Sequence, residues 1–119
     1  MKVKIDIDID ADRETVWRSF DNPDEMKKWQ PMVETVTERR KPDFMAGTYD
    51  SARGKGVIVN HFETLGDRQT RWNMYANHTF KGIYKLLGIF FVGSIRKRHE
   101  EAMNNFKLYA ETVKAEQAQ

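Results

Sequence analysis

Cysteine is absent from the 119 residues, so disulfides and thiolate chemistry are excluded, and any zinc site would need His and carboxylate ligands alone. That usage fits a reducing, cytoplasmic setting. A dominant charge sign is missing too. The 20 Lys plus Arg stand against 18 Asp plus Glu, and a net charge of +2 creates no field that would recruit nucleic acid. Long hydrophobic runs are scarce. The most apolar stretch, from Ile83 to Ile95, stops at Arg96, Lys97 and Arg98, short of the roughly 20 residues that cross a bilayer. No integral membrane segment is expected, although the basic flanks leave a helix lying on a membrane surface as a lesser alternative. The opening MKVKIDIDID alternates charged with aliphatic residues and lacks the uninterrupted apolar core of an export signal. Repeats, low-complexity tracts and linkers are also missing, and a chain of this length predicts one domain, 1–119.

What is present is a change of period along the chain. Val3, Ile5, Ile7 and Ile9 fall on one side of a period-two pattern, with Lys2, Lys4, Asp6 and Asp8 on the other, which predicts a half-buried antiparallel strand. Asp12 then stands where it can cap a short helix whose Val16, Trp17 and Phe20 share a face. In DNPDEMKKWQP, Asn22 caps, Pro23 occupies the first helical position, Glu25 completes a capping box and Pro31 ends a second short helix. MVETVTE, DFMAGTYDS, GVIVNHFETL and QTRWNMYANHTF read as four strands in meander order, separated by the turn signals RRKP, ARGKG and GDR. Trp72, Met74 and Phe80 share one parity of the last strand; in the strand before it either Val57 and Val59 or Ile58 and Phe62 face inward, depending on register. After Gly82 the period becomes helical, with Ile95, His99, Ala102, Phe106, Tyr109 and Val113 recurring at steps of four and three. Gly88 and Gly93 predict a loose or bent first section leading into a long straight helix. The fold class is therefore α+β: about five antiparallel strands in β-α-α-β-β-β-β-α order, packed on a long C-terminal helix.

This order of elements resembles the START-like, or SRPBCC, superfamily, whose helix-grip fold wraps a curved sheet around its last helix. The echoes are IDIDADRETVWRSFDNPDEMKKWQP at the front, NHFETLGDRQTRW in the late strands and FKGIYKLLGIFFVGSIRKRHEEAMNNFKLYAE at the end. The branch most similar is the polyketide cyclase/dehydrase-like group. Two strands that the superfamily usually places after the second short helix are missing, because Met32 follows Pro31 directly. The resemblance thus implies a shortened helix-grip, an open five-stranded sheet with the first strand and the Met32 strand as edges. Unpaired edges invite association, so a homodimer through exposed sheet edges is an expectation of the same reading.

The resemblance also implies a space between sheet and helix that takes an apolar small molecule, lipid-like or aromatic polyketide-like, with the Ile83–Ile95 run as wall and lid. Candidates for its lining are Trp17, Phe20, Trp29, Met45, Phe62, Trp72, Met74, Phe90, His99, Met103 and Phe106, broad aromatic faces and pliable thioethers among them. Ordinary core packing competes for every one of these residues. His99, a polar group in the apolar stripe of the last helix, is the candidate proton carrier for the alternative of a cyclase or dehydratase-type enzyme. A third alternative is a self-associating interaction module without ligand. No nucleophile–base pair or phosphate-binding glycine loop is legible, and ARGKG lacks the P-loop spacing. His61 and His78 are not spaced to converge on a metal. No metal or cofactor is expected.

Overall fold

The computed structural model describes residues 1–22, 34–50 and 54–117. Strand β1 (Lys2–Ile9) leads into helix α1 (Arg13–Phe20). Four further strands follow: β2 (Glu34–Arg40), β3 (Phe44–Asp50), β4 (Gly54–Gly66) and β5 (Gln69–Phe80). A four-residue helix α2 (Tyr84–Leu87) and a 3-10 turn (Gly88–Phe90) precede the 26-residue helix α3 (Val92–Gln117). The bent-then-straight ending predicted from Gly88 and Gly93 is thus present. The helix predicted after Asn22, with Trp29 on it, lies outside the described residues.

All strand pairs are antiparallel, in the order β1-β5-β4-β3-β2. The two ends of the sheet are β1 and β2, as an open five-stranded sheet requires. Both edges are blunted by charge: Lys2, Lys4, Asp6 and Asp8 stand exposed on β1, and Glu38, Arg39 and Arg40 on β2. A bulge between Val36 and Glu38 breaks the β2 ladder further, and both devices discourage edge pairing.

Register decides which side of each strand is buried. Across β3, β4, β5 and β1 the inward rows read Gly47–Ile58–Ala76–Val3 and Met45–Asn60–Met74–Ile5. Phe62, Trp72 and Ile7 continue the pattern in the next row. Ile58 and Phe62 therefore face the core, while Val57 is nearly half exposed, which resolves the ambiguity left by periodicity. ARGKG does not form a turn throughout: Gly54, Lys55 and Gly56 belong to β4, paired with Phe80, Thr79 and His78. Ladder hydrogen bonding to β5 overrides the turn propensity of the two glycines.

Helices α1 and α3 cover the inward face. Asp12 caps α1, accepting from the Thr15 amide at 3.2 Å and from its hydroxyl at 2.5 Å; such a cap contributes about 1 kcal/mol. From α1, Phe20 inserts between sheet and α3, with edge-on contacts to Phe62 (5.0 Å between centroids), Trp72 (5.3 Å) and Phe106 (5.3 Å). The buried face of α3 carries His99, Ala102, Met103, Phe106 and Ala110, while Ile95, Tyr109 and Val113 of the stripe read from its period are half-buried along its margin. The helix lies along β1 and α1 rather than across the middle of the sheet. Near its C-terminal end it is pinned to Asp10, whose amide donates to Glu111 Oε2 at 2.8 Å and whose carbonyl accepts from Lys114 Nζ at 2.9 Å.

Candidate functional site

The aromatic centre of the core is filled by its own side chains. Trp17, Phe20, Met45, Phe62, Trp72, Met74, Met103 and Phe106 are all buried in one cluster. The one polar atom of Trp72 is satisfied there: its Nε1 donates to Asn60 Oδ1 at 2.9 Å, and Asn60 Nδ2 donates to the Met45 carbonyl at 3.2 Å. A buried indole N–H requires such a partner.

A different chemistry occupies the other end of the inward face. Tyr49 on β3, Gly56 on β4 and His78 on β5 stand in one cross-strand row. Strands β3 and β5 are about 10 Å apart, two strand spacings, and Gly56 is the reason that a tyrosine can bridge them. A Cβ at position 56 would lie 2.4 Å from Tyr49 Cζ, so the ring rests on bare β4 backbone. Its hydroxyl then shares a 2.6 Å hydrogen bond with His78 Nδ1, and the two rings are nearly parallel. Gly54 does the same for His78, since a Cβ there would lie 2.6 Å from Nε2. From α3, His99 closes the group, 6.4 Å from Tyr49 between ring centroids. Phe80 meets His78 edge-on at 4.6 Å.

All three polar rings are buried, His78 and His99 being 5% and 4% exposed. Burial pushes the Tyr49 hydroxyl up to about 12, so it stays protonated. Burial also holds His78 below the ordinary histidine value, helped by the positive Met1 ammonium, which donates to the His78 carbonyl at 2.9 Å. His99 is held down by burial first and by His78 second. The cluster is therefore neutral at pH 7: it can exchange hydrogen bonds with an uncharged oxygen but offers no cation to an anion. When the Tyr49 hydroxyl donates to Nδ1, His78 Nε2 carries the ring proton, and that buried atom has no hydrogen-bond partner. Leaving such a donor unsatisfied costs about 1–3 kcal/mol, a cost that suits a group reserved for something else.

Of the residues singled out in the sequence, Trp29 lies outside the described residues, His99 is brought to this cluster, and Trp17, Phe20, Met45, Phe62, Trp72, Met74, Met103 and Phe106 lie in the filled core beside it. Phe90 is the exception. Expected in the lining, it is 78% exposed. Gly88 is the residue of its turn that packs inward, where a Cβ would lie 2.7 Å from the Phe80 ring, and this directs Ile89 and Phe90 outward. Tyr49 and His78 were not among the candidates. The available signal was the Gly54, Gly56 and Ile58 parity, two bare positions beside inward residues, but it becomes legible only with the register. His61 and His78 point to opposite faces, one exposed and one buried. Among the described residues no group of three His, Asp or Glu side chains could hold a metal ion.

Two open clefts lie on the surface of the described residues. One, about 480 Å³, lies between β1 and α3 over Ile5, Ile7 and Met103. The other, about 510 Å³, runs over the outward side of β3, β4 and β5 past Thr48, Val57, Asn77 and Thr79. Neither is enclosed.

No family model matches the chain, and no curated protein matches its sequence. Solved structures do. A conserved protein from Geobacillus kaustophilus superposes with a TM-score of 0.79 at 12% identity, over 94% of this chain and 96% of that one. A protein from Arthrobacter aurescens gives 0.71 at 14%, over 93% and 86%. The di-domain ARO/CYC protein BexL of the BE-7585A biosynthetic pathway gives 0.70 at 10%, over 96% of this chain and 47% of that one. At these identities the likeness is one of fold: an antiparallel sheet with a long C-terminal helix over its inward face.

Proposed function

We infer that the chain is a single START-like domain of the SRPBCC superfamily, residues 1–119, which binds an uncharged, largely apolar small molecule between sheet and C-terminal helix. The observation that carries this reading is the neutral Tyr49–His78–His99 cluster with its unpartnered, buried His78 Nε2. A ligand carbonyl or hydroxyl would satisfy that atom, while Ile58 and Ala76, buried in the adjoining row, offer apolar wall to the remainder. The fold shared with a di-domain ARO/CYC protein supports an aromatic polyketide-like ligand over a fatty acid. So does the lack of a buried Lys or Arg among the described residues, because a carboxylate entering a neutral site loses its hydration without replacement.

The test is a thermal-shift panel of flavonoids and quinones, with fatty acids alongside, because a molecule bound only by the folded state must raise its stability. Neutral oxygen-bearing aromatics are expected to raise the melting temperature. Tyr49→Phe and His99→Ala should then weaken binding at least about tenfold, the equivalent of one hydrogen bond of about 1.4 kcal/mol. Fatty acids binding as well as quinones, or both variants binding as wild type does, would refute the assignment.

A further inference from the structure

The apolar run from Ile83 to Ile95 does not serve the core. Ile83, Leu86, Ile89 and Phe90 are 64–82% exposed, and Leu87 and Val92 are also open to solvent. Six large apolar side chains in ten residues thus form a single outward surface on α2, the 3-10 turn and the start of α3. Contiguous patches of this kind mark a place where something docks. The segment is held firmly rather than dangling. Gly88 packs on Phe80, and Tyr84 and Phe91 meet edge-on at 5.6 Å, so the exposed side chains project from a built platform.

Charge identifies the occupant. Between Lys81 and His99 the chain has five basic residues, Lys81, Lys85, Arg96, Lys97 and Arg98, and no Asp or Glu. All eighteen acids lie in the remaining hundred residues, which hold fifteen basic ones. Lys81 is paired with Asp50 and Arg96 with Glu100, while Lys85, Lys97 and Arg98 stand exposed in the same stretch of chain as the apolar tips. A symmetric contact with a second copy would bring two such basic, acid-free stretches together. An anionic lipid surface instead takes both components at once, the apolar tips into the acyl boundary and the cations onto the headgroups.

We propose that residues 83–92 dock this protein onto anionic membrane surfaces, with Ile83, Leu86, Ile89 and Phe90 inserted and Lys85, Lys97 and Arg98 held at headgroup level. The docking does not depend on the small-molecule reading above. The experiment is co-sedimentation of the full chain with vesicles of phosphatidylcholine and phosphatidylglycerol in equal parts, beside vesicles of phosphatidylcholine alone. Binding to the mixed vesicles, weakened by added salt, is expected. Ile89→Ser with Phe90→Ser should reduce it at least about tenfold, and Lys97→Gln with Arg98→Gln should reduce it and flatten its salt dependence. Because these side chains are exposed, each variant should keep the wild-type melting temperature, which separates lost docking from lost folding. Equal binding to both vesicle types, wild-type binding by the Ile89/Phe90 variant, or Phe90-dependent self-association in light scattering without vesicle binding would each overturn the proposal.

Discussion

Replacing Gly56 by alanine should destabilise this protein even though alanine is the better strand residue. By itself, Gly→Ala in a strand interior gains about 0.5–1 kcal/mol. At position 56 the new methyl would sit 2.4 Å from both Cζ and Oη of Tyr49, a distance at which one of the two must move. Tyr49 is packed between His78 and His99, so its displacement breaks the 2.6 Å bond to His78 Nδ1. The second ring nitrogen of His78 would then be buried without a partner, as Nε2 already is. One unsatisfied buried group costs about 1–3 kcal/mol, and after the strand gain is subtracted a net loss of about 1–2 kcal/mol remains. Urea denaturation followed by tryptophan fluorescence measures it. Gly66→Ala, at the far end of the same strand with nothing within 4 Å of the added methyl, is the control and should be neutral to slightly stabilising. In a Tyr49→Leu background, where no ring crosses β4, Gly56→Ala should lose most of its cost, giving a coupling of about 1–2 kcal/mol. If Gly56→Ala matches Gly66→Ala within about 0.5 kcal/mol in the wild-type background, the bare-backbone argument for the cluster is wrong.

The pH dependence of stability follows from the same rings. Burial holds His78 and His99 below the ordinary histidine value when folded, so as the pH falls through about 6.5 the unfolded chain takes up protons that the folded one refuses. Stability should therefore decline on acidification from that point, by at most about 1.4 kcal/mol per pH unit for each histidine, and be flat with respect to these groups above about pH 7.5. His99→Gln should halve the slope, and a stability unchanged between pH 7.5 and 5.5 would contradict the burial assigned to both rings. Asn60→Leu removes the acceptor of Trp72 Nε1 and the donor to the Met45 carbonyl, and should cost about 2–3 kcal/mol by urea titration. A loss below about 0.5 kcal/mol would mean that the bridge is not formed.

Much of the fold was legible because it rests on periodicity. Two-residue alternation in β1 and the three-and-four stripe of α3 each specify a buried face without reference to any other part of the chain, and Asp12 marks its helix start by a local hydrogen bond. Strand number followed from counting the elements, and edge identity from the resemblance of their order to a shortened helix-grip. The candidate site resisted the same reading. Tyr49, Gly56 and His78 are separated by up to 29 residues and become neighbours only when the β3–β4 and β4–β5 registers are set; a one-residue slip of any one of these strands would send its member to the opposite face. His99 could be picked out as a polar residue in an apolar stripe, but not its company.

Phe90 marks the same boundary from the other side. Local composition makes the run around it hydrophobic, whereas the close approach of Gly88 to Phe80 determines which of its side chains turn inward. Amino-acid order alone thus determined most of the elements, the Asp12 cap and the apolar faces of β1 and α3, because these depend on neighbours a few positions away. Only the assembled structure decided which polar groups share a buried site and which apolar ones are left in water, because both depend on contacts between residues far apart along the chain.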